Sequence, residues 1–315
     1  MSGVNVLAVD LGGSHAECAV IQNNAITATQ TVAVSGRSGL GGLLPVIRDS
    51  LLGLLVTAGI KPSNCSAFVL GFPGIVSARE KRILATNDKF DDGPELDLEN
   101  WSRTELGLPF LIENDARLAL LGEYRCGAAQ GVCDAVMITL GTGIGGAALL
   151  DGKLLQSKHG LAGTIGGHLP VVLQGRLCSC GNRGCAEAEA ATTFLRSIYS
   201  EQPGGEAGVL ATADQFGFAE LFQAADGGDR PAMATLERCL AVWSALTVAL
   251  IHAYDPEVVV FGGSILKRQA QILPILRDYV RKHAWTPGRV VPLRASVLGS
   301  QAALYGALEL AESGL

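Results

Sequence analysis

An α/β chain of two related lobes is the fold class the sequence predicts, and three observations predict it. An apolar segment that enters a glycine-rich turn and returns as a second apolar segment occurs twice, over 4–21 and again over 135–150. A third glycine-rich edge, Gly262-Gly263-Ser264, follows the apolar run 257–261, at the end of a parallel-type strand where α/β sheets bind ligands. With 315 residues, 48% of them hydrophobic, and 40 glycines, the chain can bury a sizeable core and divide into two lobes.

Val4-Asn5-Val6-Leu7-Ala8-Val9 reads as a strand that ends at Asp10 and turns through Leu11-Gly12-Gly13-Ser14. A second strand follows near 16–21, closed by Asn23-Asn24. Residues 40–58 have helical apolar spacing and stop near Gly59. Ala67-Phe68-Val69-Leu70 is a short buried strand before Gly71-Phe72-Pro73-Gly74. Leu108-Pro109-Phe110-Leu111-Ile112 is another, and it delivers Glu113-Asn114-Asp115 to a helix running through 116–120. A carboxylate in that first turn sits where free N–H groups and the helix dipole favour negative charge; on its own, Asp115 reads simply as a helix cap.

The strand 135–140 enters Gly141-Thr142-Gly143-Ile144-Gly145-Gly146, and 147–150 returns to Asp151-Gly152. Gly141, Gly143 and Gly146 match the spacing of a dinucleotide fingerprint, but there the third glycine opens a helix. A short strand and an Asp-Gly turn follow here, so the glycines read as a hairpin tip whose N–H groups can cradle phosphate oxygens. A turn without a ligand is plausible for either hairpin alone, and two such tips in one chain favour a phosphate clamp between the lobes. A long helix over 232–254 is stopped by Asp255-Pro256 before the strand 257–261, and 202–208 and 226–229 read as surface loops.

Cys178-Ser179-Cys180-Gly181-Asn182-Arg183-Gly184-Cys185, with His168 a short loop upstream, gathers three thiols and an imidazole within 18 residues. Those are the four soft donors of a closed structural zinc site. A disulfide or unpaired buried thiols are the alternatives, and a reducing cytosol disfavours the first. A Cys-x-Cys without a following helix also differs from the Cys-x-x-Cys of redox sites. The other five cysteines, at 18, 65, 126, 133 and 239, are scattered singly and read as small core residues.

A net charge of −6 argues against sequence-independent binding to nucleic acid, which needs a basic stripe. Met1-Ser2-Gly3-Val4 runs straight into a strand without a basic region and cleavage site, so no secretory signal is expected. The longest apolar stretch, 240–251, is about half the length of a membrane span and reads as a buried helix. A cytoplasmic chain with no membrane partner is expected.

These segments, in this order, resemble the ROK family of bacterial sugar kinases and sugar-responsive repressors over nearly the whole chain. The resemblance implies the two-lobed actin-like ATPase (ribonuclease H-like) fold with an active-site cleft between the lobes. The first lobe is expected over 1–115, with 300–315 packing back on it, and a larger lobe with the zinc loop over 116–299. Asp10-Leu11-Gly12-Gly13-Ser14 looks like the family's first phosphate motif, and 140–146, with Gly141, Thr142 and Gly143, like its second. Gly71-Phe72-Pro73-Gly74-Ile75-Val76 is similar to its sugar loop, Glu113-Asn114-Asp115-Ala116 to its catalytic motif, and the run from Asp255 to Gly262-Gly263 to its adenosine-side motif.

The implied chemistry is transfer of the γ-phosphoryl of ATP to a hexose, either glucose or a related aldohexose or N-acetylhexosamine. The implied roles are Asp115 as general base, Asn114 and Gly74 at the sugar, and Asp10 holding Mg²⁺ through water. Gly12, Gly13, Gly141, Thr142 and Gly143 supply N–H groups to the phosphates. His168 shares itself between structural Zn²⁺, held with Cys178, Cys180 and Cys185, and a sugar hydroxyl, and Glu187 is the acidic residue that follows the zinc loop.

Three departures stand out. His15 occupies a place that is usually Lys or Arg, and Arg117 one that is usually Asn. Gly160-Leu161-Ala162-Gly163-Thr164-Ile165-Gly166-Gly167-His168 has Thr164 in place of a sugar-binding Glu and one glycine too many before the His. A sugar-sensing regulator on the same fold is the competing reading; such members carry a helix-turn-helix before the first phosphate motif, which here begins at residue 10. A homodimer or homotetramer is expected.

Overall fold

Every residue of strand β1 (Val6–Leu11) except Asp10 is buried, as a central strand covered on both faces requires. The strand runs on through Asp10 rather than ending at it, because Asp10 still pairs on both sides, with Glu17 and with Gly71. The computed structural model describes residues 4–34, 39–86 and 89–313. After β1 the chain doubles back antiparallel as β2 (His15–Gln22) and again as β3 (Ala25–Ala33). Asn23 and Asn24 both have positive φ, the conformation a two-residue hairpin turn selects.

Helix α1 (Leu44–Ala58) starts later than its apolar spacing suggests, with a proline in its first turn, and ends on Gly59 in the left-handed region. Strand β4 (Ala67–Phe72) pairs parallel with β1, and a small hairpin, β5 (Ile75–Ser77) with β6 (Arg82–Ala85), follows it. Helix α2 (Leu98–Glu105), capped by Asp97, leads to β7 (Phe110–Asn114) and α3 (Asp115–Cys126). The sheet order is β3-β2-β1-β4-β7, and Leu7, Val9, Ile47, Leu51, Phe68 and Phe110 meet in its core.

The plan then repeats. Strands β8 (Ala135–Leu140) and β9 (Ile144–Leu150) pair antiparallel in a second sheet, with the two-residue β10 (Lys153–Leu154) beside β9. Short helices α4 (Ala186–Ala190) and α5 (Thr192–Ser200) and helix α6 (Phe218–Asp226) precede the long α7 (Arg230–Tyr254). Strand β11 (Val258–Gly262), helix α8 (Gln269–His283) and strand β12 (Leu293–Ala295) complete the order β10-β9-β8-β11-β12. Helix α9 (Ala302–Ser313) ends the described chain. Helix α7 is long and apolar enough to cross a membrane by length and composition. Here Leu236, Cys239, Trp243, Leu246 and Leu250 are buried, and Trp243 Nε1 donates to Ala190 O at 3.2 Å. Asp255, in the left-handed region, and Pro256 end it, as the Asp-Pro signal predicts.

Two units result: Met1–Gly131 with Leu154–Thr164 and Val297–Leu315, and Val132–Lys153 with Ile165–Ser296. All of α3 therefore lies in the first unit, beyond the boundary expected at Asp115. The reason is packing: α3 runs against α9 so closely that a Cβ on Gly122 would meet Ala302 O, and one on Gly306 would meet Leu118 O. The buried Glu123 carboxylate adds to this, accepting the N–H groups of Ala128 at 2.6 Å and Leu298 at 3.1 Å.

Candidate active site

Parallel pairing in the first unit aligns the ends of three strands, with Asp10 opposite Gly71 and Phe72 opposite Asn114. The predicted acid residues thus come together at one sheet edge. Asn114, not Asp115, caps α3: its Oδ1 accepts from the N–H groups of Ala116 at 3.0 Å and Arg117 at 3.2 Å. Its Nδ2 donates to Gly74 O at 3.1 Å and to Asp115 Oδ1 at 2.9 Å, tying the predicted sugar loop to the predicted base.

Asp115 is half-buried, and burial lifts its pKa to about 6 against the N–H of Ala116 and the amide of Asn114, which pull it down. Asp10 is lifted further, to about 7, first by burial, then by the charges of Asp115 and Glu17.

The first glycine tip is closed by Gly12 N donating to His15 O at 2.9 Å, and Ser14 Oγ lies 3.0 Å from His15 Nδ1. Gly13 O accepts from Lys89 Nζ at 3.1 Å. A cation therefore does reach this tip although residue 15 is histidine. It comes from far along the chain, which no local pattern could reveal.

In the second unit the tip over 141–143 is shaped by helix α5. Thr192 and Thr193 each donate through both N–H and hydroxyl, to Gly141 O and Thr142 O respectively. Gly141 N is spent inside the turn on Gly143 O at 3.0 Å, whereas the N–H groups of Thr142 and Gly143 have no partner among the described residues. The predicted cradle thus narrows to Thr142 and Gly143. Gly262, paired with Thr139, and Gly263, whose φ is +93° and which lies against Leu140, stand beside the tip. Glu187 is there as well, its Oε2 accepting from Ile144 N at 2.9 Å.

His168 closes the single turn Gly166–His168. The additional glycine before it has a packing reason, since a Cβ on Gly167 would overlap Ile144 O. The donor atoms of His168, Cys178, Cys180 and Cys185 all lie within 4.8 Å of one another. Cys178 Sγ is 3.5 Å from His168 Nδ1, and Cys180 Sγ is 3.7 Å from Cys185 Sγ. A tetrahedral centre with metal–sulfur bonds of about 2.3 Å has edges of about 3.8 Å, so this set fits one zinc-sized ion. Thr164, in the first unit, has a hydroxyl that is shut off from solvent and makes no hydrogen bond among the described residues.

Two sheets of like strand order, each with a glycine turn where its first strand doubles back, place the protein in the actin-like ATPase fold class. The ROK family model matches residues 6–313, and the chain belongs to the ROK family. A glucokinase of Halalkalibacterium halodurans is 29% identical over 310 residues, 95% of this chain and 92% of the relative. An N-acetylmannosamine kinase of Salmonella arizonae is 30% identical over 264 residues, 83% and 84% of the two chains. A solved ROK family glucokinase from Streptomyces griseus, in complex with glucose and AMPPNP, is 28% identical with a TM-score of 0.80, covering 98% of this chain and 100% of that one.

Proposed function

We propose that this chain, an ATP-dependent sugar kinase, phosphorylates an aldohexose or an N-acetylhexosamine with Asp115 as general base. The observation that carries the reading is the Asp115 carboxylate, raised to about 6 by burial and aimed by Asn114, on a turn that also holds the sugar loop through Gly74. A base of that strength is ionised near neutrality and still accepts a proton. The sugar hydroxyl gives its proton to Asp115 as its oxygen bonds to the γ-phosphorus, and the bond to the ADP oxygen breaks. Such transfers have a loose transition state, so the remaining residues position groups and neutralise charge.

Asp10 suits a divalent cation, since a positive ion beside two half-buried carboxylates, one of which raises the other's pKa by its charge, relieves both. Asp10 would hold Mg²⁺, which would supply charge neutralisation at the phosphates. The N–H groups of Thr142 and Gly143 and the Lys89 ammonium suit phosphate oxygens. His168 Nδ1 and the three cysteines would hold zinc, which would fix the tautomer of the ring and leave Nε2 for a sugar hydroxyl. Glu187 keeps Oε1 for the same sugar while Oε2 holds Ile144.

An ATP-coupled assay over glucose, mannose, N-acetylmannosamine, N-acetylglucosamine and fructose tests the reading. Turnover of at least one aldohexose or N-acetylhexosamine is expected. Sugar binding without turnover of any would replace it with a sugar-sensing role.

A further inference from the structure

Flanking Asn114 and Asp115 are two residues that take no part in the chemistry above, Glu113 and Arg117. Both are buried, at 0% and 2% side-chain exposure, and they pair across the strand-to-helix turn, Arg117 Nη1 donating to Glu113 Oε1 at 3.1 Å. The rest of the pair faces the segment Leu154–Thr164, which returns to the first unit between two passages of the chain through the second. Arg117 Nη2 donates to Leu155 O at 3.0 Å and to Ala162 O at 2.5 Å, so one nitrogen holds both ends of a loop. Glu113 Oε2 accepts from Gln156 Nε2 at 2.8 Å, and its Oε1 also takes the N–H of Asn114 at 2.8 Å. The loop's other side lies on the sugar-loop hairpin, where Gly160, at φ +72°, passes so near Val76 O that no side chain fits.

A buried ion pair is a weak device for stability, because desolvation consumes most of its attraction. Its value is geometric. Here the geometry couples the turn of Asn114 and Asp115 to a loop whose last residue, Thr164, lies two positions beyond the Ala162 anchor. We infer that Arg117 is a positioning residue for sugar specificity, a buried fork that sets the loop 155–164, and with it the Thr164 hydroxyl, against the catalytic turn. The inference rests on the kinase reading for its substrate and on hydrogen-bond geometry for the lock. Lysine cannot replace the fork, since a point charge on a flexible stem pairs with Glu113 but does not span Leu155 O and Ala162 O together.

The test combines sugar and ATP kinetics with hydrogen exchange over 155–162 for the wild type, Arg117→Lys, the charge-free Glu113→Gln/Arg117→Met pair, and Gln156→Ala. The last removes an exposed side chain's tie to Glu113 Oε2 and leaves the ion pair in place. For Arg117→Lys, amide exchange in 155–162 is expected to rise about tenfold or more and the sugar KM about tenfold, with kcat and the ATP KM within about threefold. The charge-free pair is expected to match it, and Gln156→Ala to show a smaller rise of about threefold in both. Unchanged exchange in Arg117→Lys and Gln156→Ala overturns the lock. Faster exchange with an unchanged sugar KM, or a loss confined to kcat and melting temperature, reduces Arg117 to a core strut and overturns the inference. If the wild type turns over no sugar, the kinase reading fails by itself, and exchange with calorimetric sugar binding still decides the lock.

Discussion

Asn114 donates its side-chain amide to Asp115 Oδ1 at 2.9 Å while its own carbonyl caps the helix that Asp115 begins. One residue thereby does the capping, and the proposed base follows it. Asp115→Asn is expected to reduce kcat about 10²-fold or more, with sugar binding still measurable, because shape is kept and the base is lost. In the wild type, kcat/KM should rise with pH through about 6, where the carboxylate ionises. Steady-state kinetics from pH 5 to 8 check both, and a variant within a few-fold of wild type would remove Asp115 from the mechanism.

Asp10→Asn is expected to stabilise the fold at high pH. With its pKa raised from 3.8 to about 7, Asp10 holds its proton more tightly folded than unfolded, so stability falls as pH rises through that window. Neutralising it should add about 2–4 kcal/mol at pH 8 without Mg²⁺, and the gain should shrink toward pH 5. Thermal unfolding at both pH values measures this, and equal melting temperatures for the two proteins at pH 8 would refute it. Turnover should fall, as the proposed role of Asp10 at a divalent cation requires.

Purified without chelator, the protein is expected to carry about one zinc per chain, and Cys180→Ser to lose both the metal and several kcal/mol of stability. Elemental analysis and unfolding decide it. A folded wild type well below one zinc per chain would falsify the site.

Thr164→Val separates two meanings of an unpartnered hydroxyl. Removing a buried group without a hydrogen bond should leave stability equal or raise it by about 1 kcal/mol. If that hydroxyl waits for the sugar, the sugar KM should rise about tenfold. Unchanged kinetics would take Thr164 out of the sugar site.

Lys89→Ala should raise the ATP KM about three- to tenfold with little change in the sugar KM, since Lys89 reaches the first glycine tip and an exposed cation contributes modestly. Equal effects on both substrates would argue for a general loosening of that loop.

Strands and turns were legible in the sequence where local chemistry decides them. The repeated strand, glycine turn and strand and the Asp255-Pro256 stop formed as read, whereas the turn at Asn23-Asn24 leads into a third strand that the reading did not include. The cysteine spacing likewise gathered its four donors. What sequence reading missed depends on contacts distant in the chain. Lys89 meets Gly13, Thr192 and Thr193 meet the second tip, and Arg117 meets Leu155 and Ala162. The boundary expected at Asp115 failed for the same reason, because only the packing of α9 shows where α3 belongs.

The pairing of α3 with α9 also sets an order in time. Most of the first unit precedes the second in the chain, yet Gly306 and Leu298, which settle against Leu118 and Glu123, leave the ribosome after the second. The second unit, closed within Val132–Ser296, has its whole sheet available before the first can finish its own packing. During synthesis, then, the half that carries Asp10 and Asp115 waits, with the α9-facing side of α3 uncovered, until α9 follows the second unit.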